Sequence, residues 1–156
     1  MKNRLKLAVG CYLSGILIIA TTALIYLFTP EILPYQATAL GVSWDDLNPG
    51  VQTQIMSLVR ISGGGYLATA IALATMLFIP FRKGERWARL AIPAIGIPAA
   101  LVVTYAGLTI VHNTSGRPPV LAAPVTVILF FMGFMLSSNK MQRLRHIWSR
   151  DRSSSS

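Results

Sequence analysis

Four stretches of the chain are almost wholly apolar, and charge or proline bounds each of them: residues 7–29, 59–79, 90–111 and 119–136. A helix needs about 20 apolar residues to cross a hydrocarbon core about 30 Å thick. The pattern therefore predicts four transmembrane helices, a membrane domain over residues 1–138, and a polar tail over 139–156. The first run follows Lys2, Arg4 and Lys6 and closes at Pro30. It is longer than the apolar region of about 7–15 residues in a signal peptide, and no small-residue cleavage site follows it, so it reads as a retained helix. Asn48-Pro49 has the form of a helix start, with Asn as cap and Pro at the first helical position. That helix is expected to begin outside the hydrocarbon, at "PGVQTQIM", and to stop at Ile79 ahead of Pro80. The connection over residues 30–48 is polar. Within it "PYQATALG" reads as one or two helical turns ending at Gly41, and Tyr35 and Trp44 suit headgroup level. "HNTSGRPP" is a turn-forming loop. Its Asn113-Thr114-Ser115 matters as a glycosylation acceptor only in a eukaryotic secretory setting.

Charge turns this pattern into a topology. Only 12% of residues are charged, against about 25% in a typical soluble domain. The net charge of +9 gathers at the edges of the apolar runs, which favours membrane orientation over nucleic-acid binding. The N-terminus holds three Lys/Arg, the "FRKGERWAR" loop four (Arg82, Lys83, Arg86, Arg89) and the tail five, twelve of fourteen in total. The connection at 30–48 carries Glu31, Asp45 and Asp46 and no Lys or Arg. By the positive-inside rule both termini are cytoplasmic and residues 30–48 are extracytoplasmic. Short loops make neighbouring spans antiparallel, so the expected fold is an all-α, four-helix, up-down-up-down bundle. In the tail Met141, Leu144, Ile147 and Trp148 fall near one helical face among basic residues, as in an interfacial helix on anionic lipid. A basic flank that only sets topology reads equally well, and the serine-rich end is expected to be disordered.

Helices in lipid associate through close approach and hydrogen bonds, and small residues four apart are the cue. Gly64, Ala68 and Ala72 form such a row in the second span, and Gly96, Ala100 and Thr104 in the third. The expectation is that these rows face each other. Pro93 and Pro98 each remove a helical hydrogen bond and are expected to kink the third span.

Candidate chemistry is found mostly by elimination. No acidic residue lies inside a span, which argues against carboxylate-coupled drug export. Cys11 is the only cysteine, so thiol exchange between paired cysteines is excluded. His112 and His146 fall on opposite sides of the expected topology and cannot share a haem or a zinc ion. There is no HExxH and no phosphate loop. Nothing in the residues calls for a cofactor. Arg60 is the leading single candidate, because ionisable groups within a membrane are costly and tend to face a partner or cavity. Residues 60–79 at a rise of about 1.5 Å span roughly 30 Å, so Arg60 sits at the rim and its side chain can snorkel. One reading is an interfacial anchor touching lipid phosphate or Asp45 and Asp46. The other follows from its place on the Gly64–Ala68–Ala72 row: Arg60 caps an outward pocket, with Tyr66, Tyr105 and His112 as neighbours. A planar guanidinium there suits a small anion or an anionic lipid.

The segments "LVRISGGGYLATAIAL", "PFRKGERWARLAI" and "NTSGRPPV" resemble those of small four-span bacterial membrane proteins of unknown function, over about residues 41–137. The resemblance implies a multi-pass protein of the bacterial inner membrane and supplies no activity. Three functions are consistent with the sequence. The leading one is a structural or accessory protein that packs with itself or with a membrane partner. The second is a binder or carrier of a small anion or anionic lipid through Arg60. The third is an enzyme acting on a lipid-soluble substrate, for which no catalytic constellation is found.

Overall fold

The computed structural model describes the backbone of residues 2–153 and the side chains of residues 3–137. The chain is all-helical, with no strand among the described residues. Its elements are α1 (Lys2–Phe28), α2 (Pro34–Leu40), a 3-10 turn at Trp44–Asp46, α3 (Pro49–Met76) running into a π turn (Leu77–Phe81), α4 (Arg86–Asn113) and α5 (Ala122–Ser153). Three segments are long and apolar enough to cross a membrane: Asn3–Phe28, Pro49–Phe81 and Arg86–Asn113. A shorter apolar segment, Ala122–Ser137, opens α5.

Local chemistry accounts for the helix ends. The Asn48 side chain accepts the Gly50 N–H at 2.8 Å, and Pro49 occupies the first turn of α3. Pro80 does not end this helix at Ile79 as expected. The backbone widens into a π turn that holds Pro80 inside it and buries Leu77, Pro80 and Phe81. A wider turn relieves the clash between a proline ring and the carbonyl four residues back. A turn over residues 82–84 follows and ends at Gly84, whose φ of +83° is left-handed and suits glycine. α5 runs on past residue 138 into the basic tail. "NKMQRLRHIW" contains no Gly or Pro and is rich in good helix formers, so nothing there interrupts the helix. The interfacial face proposed for the tail, and its serine end at 154–156, lie outside the described residues. α5 opens at Ala122, after Pro118 and Pro119, rather than at residue 119.

α1 packs extensively on both α3 and α5, α4 packs on α5, and α3 meets α4 only lightly. The core centres on Tyr12, Phe81 and Phe130. Tyr12 meets Phe81 edge-on with ring centroids 5.5 Å apart, and the Phe130 ring lies 6.0 Å from that of Tyr12. Glycines make room for these rings. A Cβ at Gly96 would lie 2.8 Å from the Phe130 ring, one at Gly15 3.1 Å from it, and one at Gly133 2.7 Å from the Tyr12 ring.

The small-residue rows are placed differently from the expectation. Gly64, Ala68 and Ala72 are exposed on the outside of the chain, and a Cβ at Gly64 would meet nothing within 4 Å. The packed row of α3 is Met56, Val59, Gly63, Ala70, Leu73 and Leu77. Gly63 sits under α1, where a Cβ would come within 3.0 Å of Tyr26 and Leu27. One residue rotates a helix face by about 100°, so moving the close approach from Gly64 to Gly63 turns the expected row away from α1. Gly96 and Ala100 are buried, but Gly96 receives Phe130 of α5. The two rows therefore do not face each other. Pro93 and Pro98 both lie inside α4, which stays helical from Arg86 to Asn113; Pro93 is buried and Pro98 exposed.

Candidate functional site

Beyond Phe130, toward α2, the rings run out. α4 there presents Ala99, Ala100, Val103, Thr104, Ala106 and Gly107, and α5 presents Ala122, Ala123 and Thr126. Side chains this small leave a gap between α1, α4 and α5. The result is a cavity of about 230 Å³, walled also by Ile18, Ile19, Thr22 and Ile25 of α1 and by Tyr66 and Thr69 of α3. The Pro118-Pro119-Val120 turn and Leu33 and Tyr35 complete the wall. No charged side chain lines it among the described residues.

α2 lies over this end. The Tyr26 and Tyr35 hydroxyls are 2.7 Å apart and tie α2 to α1. Gly116 presses on α2 from the other side, where a Cβ would be 2.6 Å from the Tyr35 carbonyl oxygen. Gln36 closes the first turn of α2 by accepting the Leu33 N–H at 2.9 Å. Tyr66 meets the Tyr26 ring edge-on at 5.9 Å. The cavity thus has apolar walls and a tyrosine-rich end.

Hydroxyl bookkeeping decides what this end can do. Thr22, Thr69, Thr104 and Thr126 each donate to the carbonyl four residues earlier, at 2.8–3.0 Å. Their protons are used and only lone pairs remain. The Tyr26–Tyr35 hydrogen bond uses one of its two protons. Among the described residues the second has no acceptor, and no hydrogen bond to the Tyr66 hydroxyl occurs. The tyrosine end therefore offers donors to an acceptor such as a carbonyl oxygen.

Of the four residues expected to share a ligand, only Tyr66 lines the cavity. Arg60 and His112 are exposed and outside it, and Tyr105 is 74% exposed on the outer side of α4. The pocket expected above the Gly64 row is absent because that row faces outward. Of the packing residues, Ala100 and Thr104 join the cavity wall. Sequence reasoning missed Tyr26 and Tyr35, whose pairing needs the chain to turn back at Pro30–Pro34. The run of alanine, glycine and threonine in "PAALVVTYAG" was the available signal for missing volume. One buried polar atom in the packed half, Arg89 Nε, has no hydrogen-bond partner among the described residues.

Comparison of the chain with protein-family models, with curated proteins and with solved structures found no match.

Proposed function

We propose that this protein is a multi-pass inner-membrane protein that holds a neutral, lipid-soluble molecule bearing a hydrogen-bond acceptor in the cavity between α1, α4 and α5. In this reading the chain spans the bilayer four times, up-down-up-down, with both termini cytoplasmic. The contacts of Tyr12 with Phe81, of Gly63 with Leu27 and of Gly107 with Val120 fit antiparallel neighbours. The cavity then lies in the extracytoplasmic half, under α2.

The observation that carries the proposal is the cavity itself, about 230 Å³ with no charge in its wall. An apolar cavity of about 150 Å³ already accepts benzene, and drug-sized pockets begin at about 300 Å³. The volume therefore suits one ring or a short stretch of chain. The absence of charge selects a neutral ligand, and the tyrosine hydroxyls select a carbonyl-type acceptor.

The test uses the full chain in lipid nanodiscs and the single-ring ketone 4-fluoroacetophenone, followed by fluorine NMR, with empty nanodiscs subtracted. A saturable site is expected, with the fluorine resonance shifted by hydrogen bonding to the ketone. Thr104→Phe, which fills the cavity, should remove the saturable component. Tyr66→Phe should weaken binding by about fivefold, the loss of one net hydrogen bond of about 1 kcal/mol. Saturable binding that survives Thr104→Phe unchanged would refute the site.

The exposed Gly64–Ala68–Ala72 row favours a second reading, a protein that packs with itself or with a membrane partner. Small residues on an outer helix face let another helix approach closely. Native mass spectrometry in mild detergent tests it: an oligomer that Gly64→Leu dissociates supports self-packing, and a monomer at all concentrations removes it.

A further inference from the structure

At the opposite end of the core from the cavity, α1 and the π turn form a groove lined by Leu5, Lys6, Val9, Phe81 and Arg82, enclosing about 340 Å³. We propose that this groove binds one anionic phospholipid, with its phosphate between the Lys6 ammonium and the Arg82 guanidinium. The π turn creates the pairing. It sends Phe81 into the core, where it is buried against Tyr12, and leaves Arg82 exposed at the groove. Both cations stand at the margin of an apolar segment. Lys6 lies in the first turn of Asn3–Phe28, and Arg82 directly follows Pro49–Phe81. That is headgroup depth for a phospholipid lying against the bundle.

The remaining lining is apolar. Leu5 and Val9 offer a surface for the glycerol and the first methylenes, which a free phosphate ion cannot use. No carboxylate lines the groove among the described residues. Glu85, the acidic residue nearest Arg82 in the chain, accepts instead from Trp87 Nε1. A guanidinium fork and an ammonium together match a phosphodiester, the first through paired N–H donors and the second as a point charge. Basic pockets between helix ends are the general form of phospholipid headgroup sites.

Native mass spectrometry of the full chain, purified in mild detergent and titrated with phosphatidylglycerol or phosphatidylcholine, tests the site. One phosphatidylglycerol should be retained in preference to phosphatidylcholine. Lys6→Gln and Arg82→Gln should each weaken retention by about fivefold, and the double variant by about thirtyfold. Lys83→Gln/Arg86→Gln removes two cations of the same loop that do not line the groove, and should leave retention unchanged. Equal loss in that control would overturn the proposal in favour of diffuse surface charge. Equal retention of phosphatidylcholine, or displacement by millimolar inorganic phosphate, would overturn it as well. If the double variant does not fold, the single variants decide, because an unchanged affinity in both of them excludes the groove. The cavity proposal is independent: Thr104→Phe should not alter phosphatidylglycerol retention.

Discussion

Around Phe130 a ring is gripped by glycine on two helices, Gly15 of α1 and Gly96 of α4, and is fully buried. Farther along the same helices, toward α2, alanine, glycine and threonine face one another across a cavity of about 230 Å³. Both regions use small residues on α4 and α5. In the first, each small residue is matched by a large one on the facing helix. In the second, small faces small. Small residues therefore produce tight packing only when a complementary side chain fills the space they leave, and otherwise they produce a cavity.

The contrast is open to direct attack. Phe130→Ala should have the largest effect, a loss of about 3 kcal/mol, the low end for a buried Phe→Ala because lipid rather than water solvates the separated helices. Unfolding in a denaturing detergent titration reads this loss. If Phe130→Ala costs no more than a substitution in the cavity wall, the two halves do not differ as described. Next in size is overpacking. Gly96→Ala forces a methyl group to 2.8 Å from a buried ring, and should cost about 1–3 kcal/mol in the same titration. Tyr35→Phe breaks the hydroxyl pair that ties α2 to α1, and should cost about 1 kcal/mol. Faster amide exchange confined to α2 would show the loosening, whereas global loosening would place the tyrosine pair in the main core. Smallest is Gly64→Ala, on a face with open space around it. It should be neutral or stabilising by up to about 1 kcal/mol, through helix propensity alone. Destabilisation by this change would mean that the outer row is covered after all.

The apolar runs, the Asn48-Pro49 helix start and the short helix ending at Gly41 could be read from the sequence because each depends on nearby residues. Length and hydropathy determine whether a segment can span a bilayer, and an N-cap is a contact between residues two apart. The π turn was harder. Pro80 in isolation signals a stop, and only burial of Phe81 against Tyr12 makes continuing through it favourable. The helical continuation of the tail is also local, because no breaker follows residue 136.

The candidate site was less accessible. Of the residues expected to share a ligand, Arg60, Tyr105 and His112 lie away from the cavity and Tyr66 lines it, beside Ala100 and Thr104, for which the sequence suggests only helix packing. A single charge is conspicuous in a sequence, whereas a cavity is a volume that side chains fail to fill, and it has no letter of its own. Tyr26 and Tyr35 become partners only when α2 folds back over the end of α1.

By itself the sequence determined that the chain is helical and where basic charge flanks its apolar runs; it predicts four spans, and three segments are long and apolar enough to cross a membrane. These properties add up along the chain and do not depend on which helices meet. Only the tertiary structure decided that Gly63 rather than Gly64 lies beneath α1, that Phe130 fills the Gly96 notch, and that Lys6 and Arg82 share one groove. Helix rotation sets all three. A shift of one residue turns a face by about 100°, and the rotation is chosen by the fit of side chains from different helices, which no local pattern contains.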